Sequence, residues 1–282
     1  MPRRTVKRQR TRRKPKKNQP KKDKPKEPTK IVDPPFARSQ SKGTLASPGE
    51  GHGKCCGIDY TDDYHYQSYD NVVKFIEYVV SDTKGKTLGD IFTFDETSDA
   101  FLDVHIGRGV IKPMYVSHDA FVSHIKKGLK AKTRFIPVIV TLTLGPEDNH
   151  ANIAVINKKT HQIELFEPHG ARTSSSELGG VQSAYKKKLK LLRKFFKDIC
   201  KGYQVVNVTD AVKQTAFQMT EDPKGHSGFC VTWSILYFHY RILNPDIPLA
   251  NLVRYIHHKI TERHILRYAR YIELLVKKFD PT

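Results

Sequence analysis

The sequence predicts an α+β domain with a mainly antiparallel sheet. Residues 134–144 (RFIPVIVTLTL) form a β-branched, apolar run that is typical of a buried strand. Two shorter strand-like runs follow it, and segments with helical spacing dominate the chain after residue 228. The predicted order is β-β-β-α-β-α-α-α. Strands that cluster in the chain, instead of alternating regularly with helices, indicate an α+β fold.

The two shorter runs predict a β-hairpin. Residues 151–156 (ANIAVI) and 162–166 (QIELF) have strand composition, and the polar residues 157–160 (NKKT) join them as a tight turn. Because a hairpin fixes the register of its strands, it also determines which side chains meet at its open end.

The other elements follow from hydrophobic periodicity. Residues 181–199 carry apolar residues at helical spacing, and we expect the remaining lysine-rich face to be solvated. The further predictions are a helix or buried strand over 71–80, a helix near 118–130, a strand over 203–209, a mostly buried helix over 229–242 that ends at Asn244–Pro245, and amphipathic helices over about 248–260 and 263–279.

The positive charge is concentrated at the N-terminus. The 282 residues carry a net charge of +20, and residues 1–30 alone carry +13, because fifteen Lys and Arg stand against only Asp23 and Glu27. This segment has almost no apolar surface to bury, so residues 1–57 are predicted to be a disordered basic tail and linker. Residues 58–282 are then the folded domain. The tail suits contact with nucleic acid, nuclear import or docking to an acidic surface.

The composition also bears on location. No apolar run approaches eighteen residues, so no membrane span is expected, and basic residues and prolines stand where a secretory signal would be apolar. Four cysteines do not make a disulfide framework. We therefore expect an intracellular, reducing compartment, in which a cysteine remains a free thiol.

Cys230 is the first candidate for chemistry. It opens the predicted helix directly after Gly228 and Phe229. The positive end of the helix dipole and the unpaired N–H groups there favour the thiolate, which is the nucleophilic form. The alternative is a buried cysteine that packs as a small hydrophobic side chain.

The predicted hairpin supplies a base and an orienting acid for such a nucleophile. With a four-residue loop, Ile156 pairs with His161, and counting outward places His150 directly opposite Glu167. Opposed residues are close enough for a carboxylate–imidazole hydrogen bond. A nucleophilic cysteine needs this pair of groups, one to hold its proton and one to orient the base.

The ordered series His150, Glu167, Gln218 and Cys230 resembles the superfamily of SUMO-specific proteases and the adenovirus protease (adenain-like cysteine peptidases). Four sequence segments are most similar to protease-related proteins of large double-stranded DNA viruses: NHANIAVI, ELFEPHG, GFCVTWS and RILNP. The resemblance implies a papain-like fold whose buried central helix starts at the catalytic Cys230. It further implies a thiol peptidase that cuts viral structural polyproteins or ubiquitin-like proteins, often after Gly-Gly, with Gln218 as oxyanion donor.

The chain departs from that family in two ways. Gln218 lies twelve residues before Cys230, where the family's Gln usually lies about half a dozen before, so Gln214, His226 or backbone N–H groups are alternative oxyanion donors. Glu167 replaces the commoner Asp, and same-clan acetyltransferases use a His–Glu–Cys set. A further alternative, suggested by the basic tail, is a catalytically inactive nucleic-acid-binding or virion structural protein of the same fold.

We expect no metal or organic cofactor. His52, Cys55 and Cys56 could begin a metal site, but no second ligand pair follows at zinc spacing. The expected partners are a polypeptide substrate and, through the tail, nucleic acid, with no membrane. The expected location is the host cytoplasm or nucleus, or the inside of a virion.

Overall fold

A mixed sheet with helices on both faces forms the centre of the described chain. The computed structural model describes residues 30–34, 73–77, 91–92, 97–143, 149–168, 179–211, 217 and 229–279. The strands are β1 (Phe101–His105), β2 (Val110–Pro113), β3 (Phe135–Thr143), β4 (Asn149–Asn157), β5 (Gln162–Phe166) and β6 (Gln204–Asn207). The helices are α1 (His118–Lys130), α2 (Gly179–Ile199), α3 (Cys230–Leu243), α4 (Leu249–Lys259) and α5 (Glu262–Phe279).

The sheet has the order β2-β1-β3-β4-β5-β6 among the described residues. The β1–β2, β3–β4 and β4–β5 pairs are antiparallel, whereas β1–β3 and β5–β6 are parallel. The predicted α+β class with a mainly antiparallel sheet is therefore confirmed. Strands β1 and β2 were not predicted, and the segment 71–80, which the sequence left open between helix and strand, is helical over residues 73–77.

The hairpin forms, but its predicted register is wrong by two residues. Asn157 pairs with Gln162, and Ile153 pairs with Phe166, so the four-residue loop is 158–161. His161, which was expected in the ladder, lies in this loop with a left-handed φ of 52°. A shift of two residues keeps every side chain on its predicted face of the sheet, because side chains alternate with a period of two.

Two hydrophobic cores lie on opposite faces of the sheet. Ile153 and Val155 of β4 belong to the core formed with α3, α4 and α5. Ala154 and Ile156, their neighbours along the strand, belong to the core formed with α1 and α2. Strand β4 thus has both faces buried, which explains its nearly continuous apolar sequence.

Helix α3 is held against the sheet by a buried polar cluster around Glu164 of β5. Arg241 donates from Nε and a terminal nitrogen to the two carboxylate oxygens, over 2.8 and 2.9 Å. Tyr237 and Asn157 also donate to this carboxylate, over 2.8 and 2.9 Å. Every bond fixes α3 or β4 relative to β5, and the two partners in α3 lie in its C-terminal half, so the cluster anchors that half of the helix to the sheet.

Residues 31–34 lie against the C-terminal end of α3, although the sequence places them in the disordered tail and linker. The backbone N–H of Val32 donates to Asn244 Oδ1 over 2.7 Å, and Asn244 Nδ2 donates to the Val32 carbonyl over 2.8 Å. Asp33 accepts from Tyr240, Tyr255 and Lys259 over 3.1, 2.8 and 2.5 Å. The described residues from Ile31 onward belong to one compact unit.

No helix within the described ranges combines the length and apolar character needed to cross a bilayer.

Candidate active site

Cys230 is the first residue of α3 and is 9% exposed. The residue before it, Phe229, makes no side-chain cap, so no side-chain oxygen satisfies the first N–H groups of the helix from that position. The backbone N–H of Ala151 in β4 points at the Cys230 sulfur, with 3.4 Å between N and Sγ. Ser234, one turn into the helix, donates to the Ala151 carbonyl over 3.4 Å, which ties α3 to this strand.

His150 lies near the start of β4, immediately before Ala151, and contacts both Cys230 and Glu167. Its Nε2 lies 2.5 Å from Glu167 Oε1. The imidazole also hydrogen-bonds to the Cys230 thiol. Because Nε2 is engaged by the carboxylate, Nδ1 is the nitrogen left to face the sulfur. The structure thus brings together the three side chains that the sequence predicts, in the order thiol, imidazole and carboxylate.

Glu167 reaches His150 diagonally, not directly across the hairpin. It follows the last residue of β5, and in the observed register it lies level with Asn152, two residues further along β4 than His150. Diagonal neighbours in a sheet are within reach of long side chains. The extra methylene of glutamate, compared with aspartate, supplies that reach.

Lys188 of α2 completes the buried cluster from the face of the sheet opposite α3. Its side chain is fully buried, and its ammonium donates to Glu167 Oε2. It also donates to Asn152 Oδ1 over 2.7 Å. The two carboxylate oxygens of Glu167 therefore have different partners, His150 on one side and Lys188 on the other.

The prediction of a solvated, lysine-rich helix face is wrong for Lys188, which is fully buried. Lys186, Lys187, Lys190 and Lys194 are exposed, as predicted. Lys188, however, precedes the buried Leu192 by one turn and so lies on the apolar stripe. A lysine on the core-facing stripe of an amphipathic helix is the signal that would have found it.

The electrostatics of the site favour a thiolate–imidazolium pair. Burial alone raises the pKa of the Cys230 thiol, but the hydrogen bond and charge of His150, together with the N–H groups of Ala151 and Val231, lower this pKa below its usual value. Burial opposes the charge on His150, yet Glu167 and the bond to Cys230 raise the pKa of His150 to about 9. The imidazole is therefore charged at neutral pH, where it stabilises the thiolate.

Cys200 shows what burial does to a cysteine without these partners. It lies just beyond the end of α2 and is 1% exposed. Burial raises the pKa of its thiol to about 12. The two cysteines of the described chain are both buried and free of disulfides, and their pKa values move in opposite directions. Position at a helix start beside an imidazole, and not burial, distinguishes Cys230 from Cys200.

The predicted oxyanion donors Gln218, Gln214 and His226 lie outside the described residues, as do His52, Cys55 and Cys56. Within the described part of the chain, no group of three or more His, Cys, Asp or Glu is placed to hold a metal ion.

Comparison with known proteins gives matches among solved structures. No protein-family model matches the chain. No curated protein matches it either. The chain is similar to the SUMO protease Ulp1 with its catalytic cysteine oxidised to a sulfenic acid (11% identity, 81% of this chain and 88% of that chain, TM-score 0.43). It is also similar to the ASFV pS273R protease (9% identity, 75% of this chain and 69% of that chain, TM-score 0.44). A third similar structure is ChlaDub1 from Chlamydia trachomatis (13% identity, 75% of this chain and 93% of that chain, TM-score 0.41).

Proposed function

We propose that this chain is a cysteine peptidase in which Cys230 is the nucleophile. The observation that carries the proposal is the contact of Cys230 with an imidazole that is itself bound to a buried carboxylate. A nucleophile beside a base, with the base oriented by a third group, is the arrangement that acyl-transfer enzymes use.

The geometry gives each residue a role in the reaction. The Cys230 thiolate attacks the scissile carbonyl carbon, and the oxygen takes up the negative charge. The His150 imidazolium then protonates the leaving amine as the C–N bond breaks, which leaves an acyl thioester on Cys230 and a neutral imidazole. A water molecule, deprotonated by His150, attacks the thioester, and the sulfur leaves as thiolate. Glu167 fixes the imidazole tautomer and stabilises its charge in both half-reactions.

Gln218 and the backbone N–H of Cys230 are the proposed oxyanion donors. The N–H groups at the start of α3 suit this role, because a helix N-terminus stabilises negative charge. If Gln218 donates, Gln218→Ala should lower the rate by roughly 10²-fold or more. Gln214→Ala and His226→Ala serve as the comparison, since either could supply the donor in its place.

The proposed substrates are viral structural polyproteins or ubiquitin-like proteins, cut after Gly-Gly. The test is incubation of the purified chain with Gly-Gly-X peptides and with ubiquitin-like precursors, followed by mass spectrometry of the products. We expect cleavage by the wild type and none by Cys230→Ala. Cys200→Ala is the matched control, because it removes the other buried thiol and should retain activity.

Two observations favour other functions, and the same preparations test them. The +13 charge of residues 1–30 favours a nucleic-acid-binding or virion structural protein. Such a protein would bind DNA through this segment, with affinity that falls steeply with salt, and Cys230 would not react selectively with a thiol-directed activity probe.

Glu167 favours a same-clan acetyltransferase, which would transfer an acetyl group from a thioester donor to a protein in place of hydrolysis. For all three functions we propose a reducing location in the host cytoplasm or nucleus, or packaging in a virion.

A further inference from the structure

We propose that Lys188 is a positioning residue of the Cys230 site, whose buried ammonium orients the Glu167 carboxylate on His150 and makes the cluster of four groups electrically neutral. The proposal rests on the proposed function only in naming Cys230 as the nucleophile.

The hydrogen bonds around Glu167 fix the position of its carboxylate. Glu167 is 2% exposed, and its two oxygens are held from opposite sides, Oε1 by His150 and Oε2 by Lys188. Lys188 is in turn held by Asn152 Oδ1, which lies two residues beyond His150 in the same strand. A closed set of bonds therefore links the base, its carboxylate and the strand that carries the base. This fixes the carboxylate rotamer before any substrate binds.

The charges of the four groups sum to zero only when Lys188 is protonated. A thiol–imidazole pair and a thiolate–imidazolium pair both have zero net charge, so Glu167 alone would leave a net negative charge in the buried site. The ammonium of Lys188 cancels it. A buried net charge is costly, whereas a neutral set of paired charges is tolerated. Burial lowers the pKa of Lys188, and the Glu167 carboxylate opposes that shift by favouring the charged amine.

Among the described residues, the contacts given above link Lys188 to Glu167 after β5 and, through Glu167, to His150 of β4 and Cys230 of α3. Replacing the ammonium by a neutral group removes a positive charge that stabilises the thiolate and repels a proton from His150. Both ends of the pH range in which the thiolate–imidazolium pair exists should therefore move to higher pH. A lysine that only fills space would leave this range unchanged.

The test follows the reactivity of Cys230 directly and needs no substrate. The full chain is alkylated with iodoacetamide between pH 5 and 10, and modification of the tryptic peptide 225–241, which contains Cys230, is measured by mass spectrometry. In Lys188→Met and Lys188→Gln we expect the midpoint of reactivity to rise by about one pH unit. Lys187→Met and Lys190→Met, which remove exposed lysines from the same helix, should match the wild type.

Superimposable profiles for Lys188→Met and the wild type would overturn the proposal, as would a shift to lower pH. A wild-type profile in Lys188→Gln alone would overturn the role of charge, because glutamine keeps an N–H donor. If neither single variant folds, Glu167→Gln is compared with Glu167→Gln/Lys188→Gln, whose buried amide pair carries no charge. The double variant should have the higher midpoint, and equal midpoints would refute the proposal.

The outcome is separable from that of the proposed function. A shifted alkylation profile without any cleaved peptide would support the role of Lys188 and refute peptidase activity. Cleaved peptides with an unshifted profile would support the peptidase and refute the role of Lys188.

Discussion

The backbone N–H of Ala151 and the sulfur of Cys230 are 3.4 Å apart, across the junction of β4 and α3. Ala151 directly follows His150, so the strand that delivers the base also delivers an N–H group to the thiol. A hydrogen bond to the charged form of an acid lowers its pKa. Strand β4 therefore stabilises the thiolate twice, through the imidazolium and through the main chain.

The first prediction concerns the two buried cysteines. In the native chain, iodoacetamide should modify Cys230 at pH values below the usual pKa of a thiol, because the folded site lowers that pKa. Cys200 should stay unmodified, because burial raises its pKa to about 12. Peptide mapping after alkylation at several pH values measures both. Faster reaction at Cys200 than at Cys230 would contradict the assignment of the nucleophile.

The second prediction concerns His150 and Glu167. His150→Ala should lower cleavage by roughly 10²–10⁴-fold, because it removes the imidazole that hydrogen-bonds to the thiol and exchanges its proton. Glu167→Gln should cost less, since an amide oxygen still accepts from the imidazole but cannot stabilise its charge. Steady-state cleavage rates of the two variants on one peptide show which substitution causes the larger loss of activity. A larger loss in Glu167→Gln would mean that the charge of Glu167 matters more than the base it orients.

The third prediction separates the fold from the site. Arg241→Met should destabilise the domain by about 3–5 kcal/mol, because it leaves Glu164 as a buried, unpaired carboxylate. Glu164→Gln/Arg241→Met should recover most of that loss. Urea unfolding measures both. The alkylation profile of Cys230 should be unchanged in whichever variant folds, because this ion pair lies at the other end of α3.

The fourth prediction concerns residues 31–34. A chain that starts at residue 36 should be less stable than one that starts at residue 30 by about 1–3 kcal/mol, because its Asn244 and Lys259 lose their partners Val32 and Asp33. Thermal unfolding of the two chains gives the difference. Asp33→Ala in the longer chain should reproduce part of it, and equal stability of all three would show that these contacts contribute nothing.

The fifth prediction is a dependence of stability on acid. His239 is buried in α3 against Tyr268, and burial lowers the pKa of its imidazole to about 3. The unfolded chain binds a proton at this histidine below about pH 6.5, while the folded chain does not until about pH 3, so stability falls as the pH falls through this window. Between pH 6.5 and pH 5 the loss should be about 2 kcal/mol. The His239→Gln variant lacks this histidine. Its free energy of unfolding, measured in urea, should therefore fall less steeply with decreasing pH than that of the wild type.

The hairpin and the helix start at Cys230 could be predicted from sequence because their signals are local. Alternating and apolar runs mark β4 and β5, and Gly228 with Phe229 marks the start of α3. The exact register could not be predicted, because it depends on which loop residue adopts a left-handed φ, and His161 gives no such signal as glycine would. The error of two residues preserved the face and therefore the partnership of His150 with Glu167.

Sequence patterns could not predict strand β1 or the partner of Lys188. In FLDVH, Asp103 interrupts the apolar run, and aspartate is depleted in strands. It is tolerated there because Thr143 of β3 donates to it over 2.9 Å, a contact forty residues away in the chain. Lys188 likewise depends on a carboxylate twenty-one residues away. Hydrophobic periodicity indicates which face of a helix or strand a residue occupies. It does not identify the distant group that contacts the residue.

The site draws Lys188 and Cys230 from helices that belong to different hydrophobic cores, which has a consequence for the order of events during folding. A chain in which only one core has formed lacks one of these groups, so its Cys230 thiolate is less stabilised than in the complete fold. The thiolate reaches its full stability only when both cores have formed on the sheet. A partly folded chain, which is the species most exposed to oxidants and to unintended partners, therefore carries a less reactive sulfur.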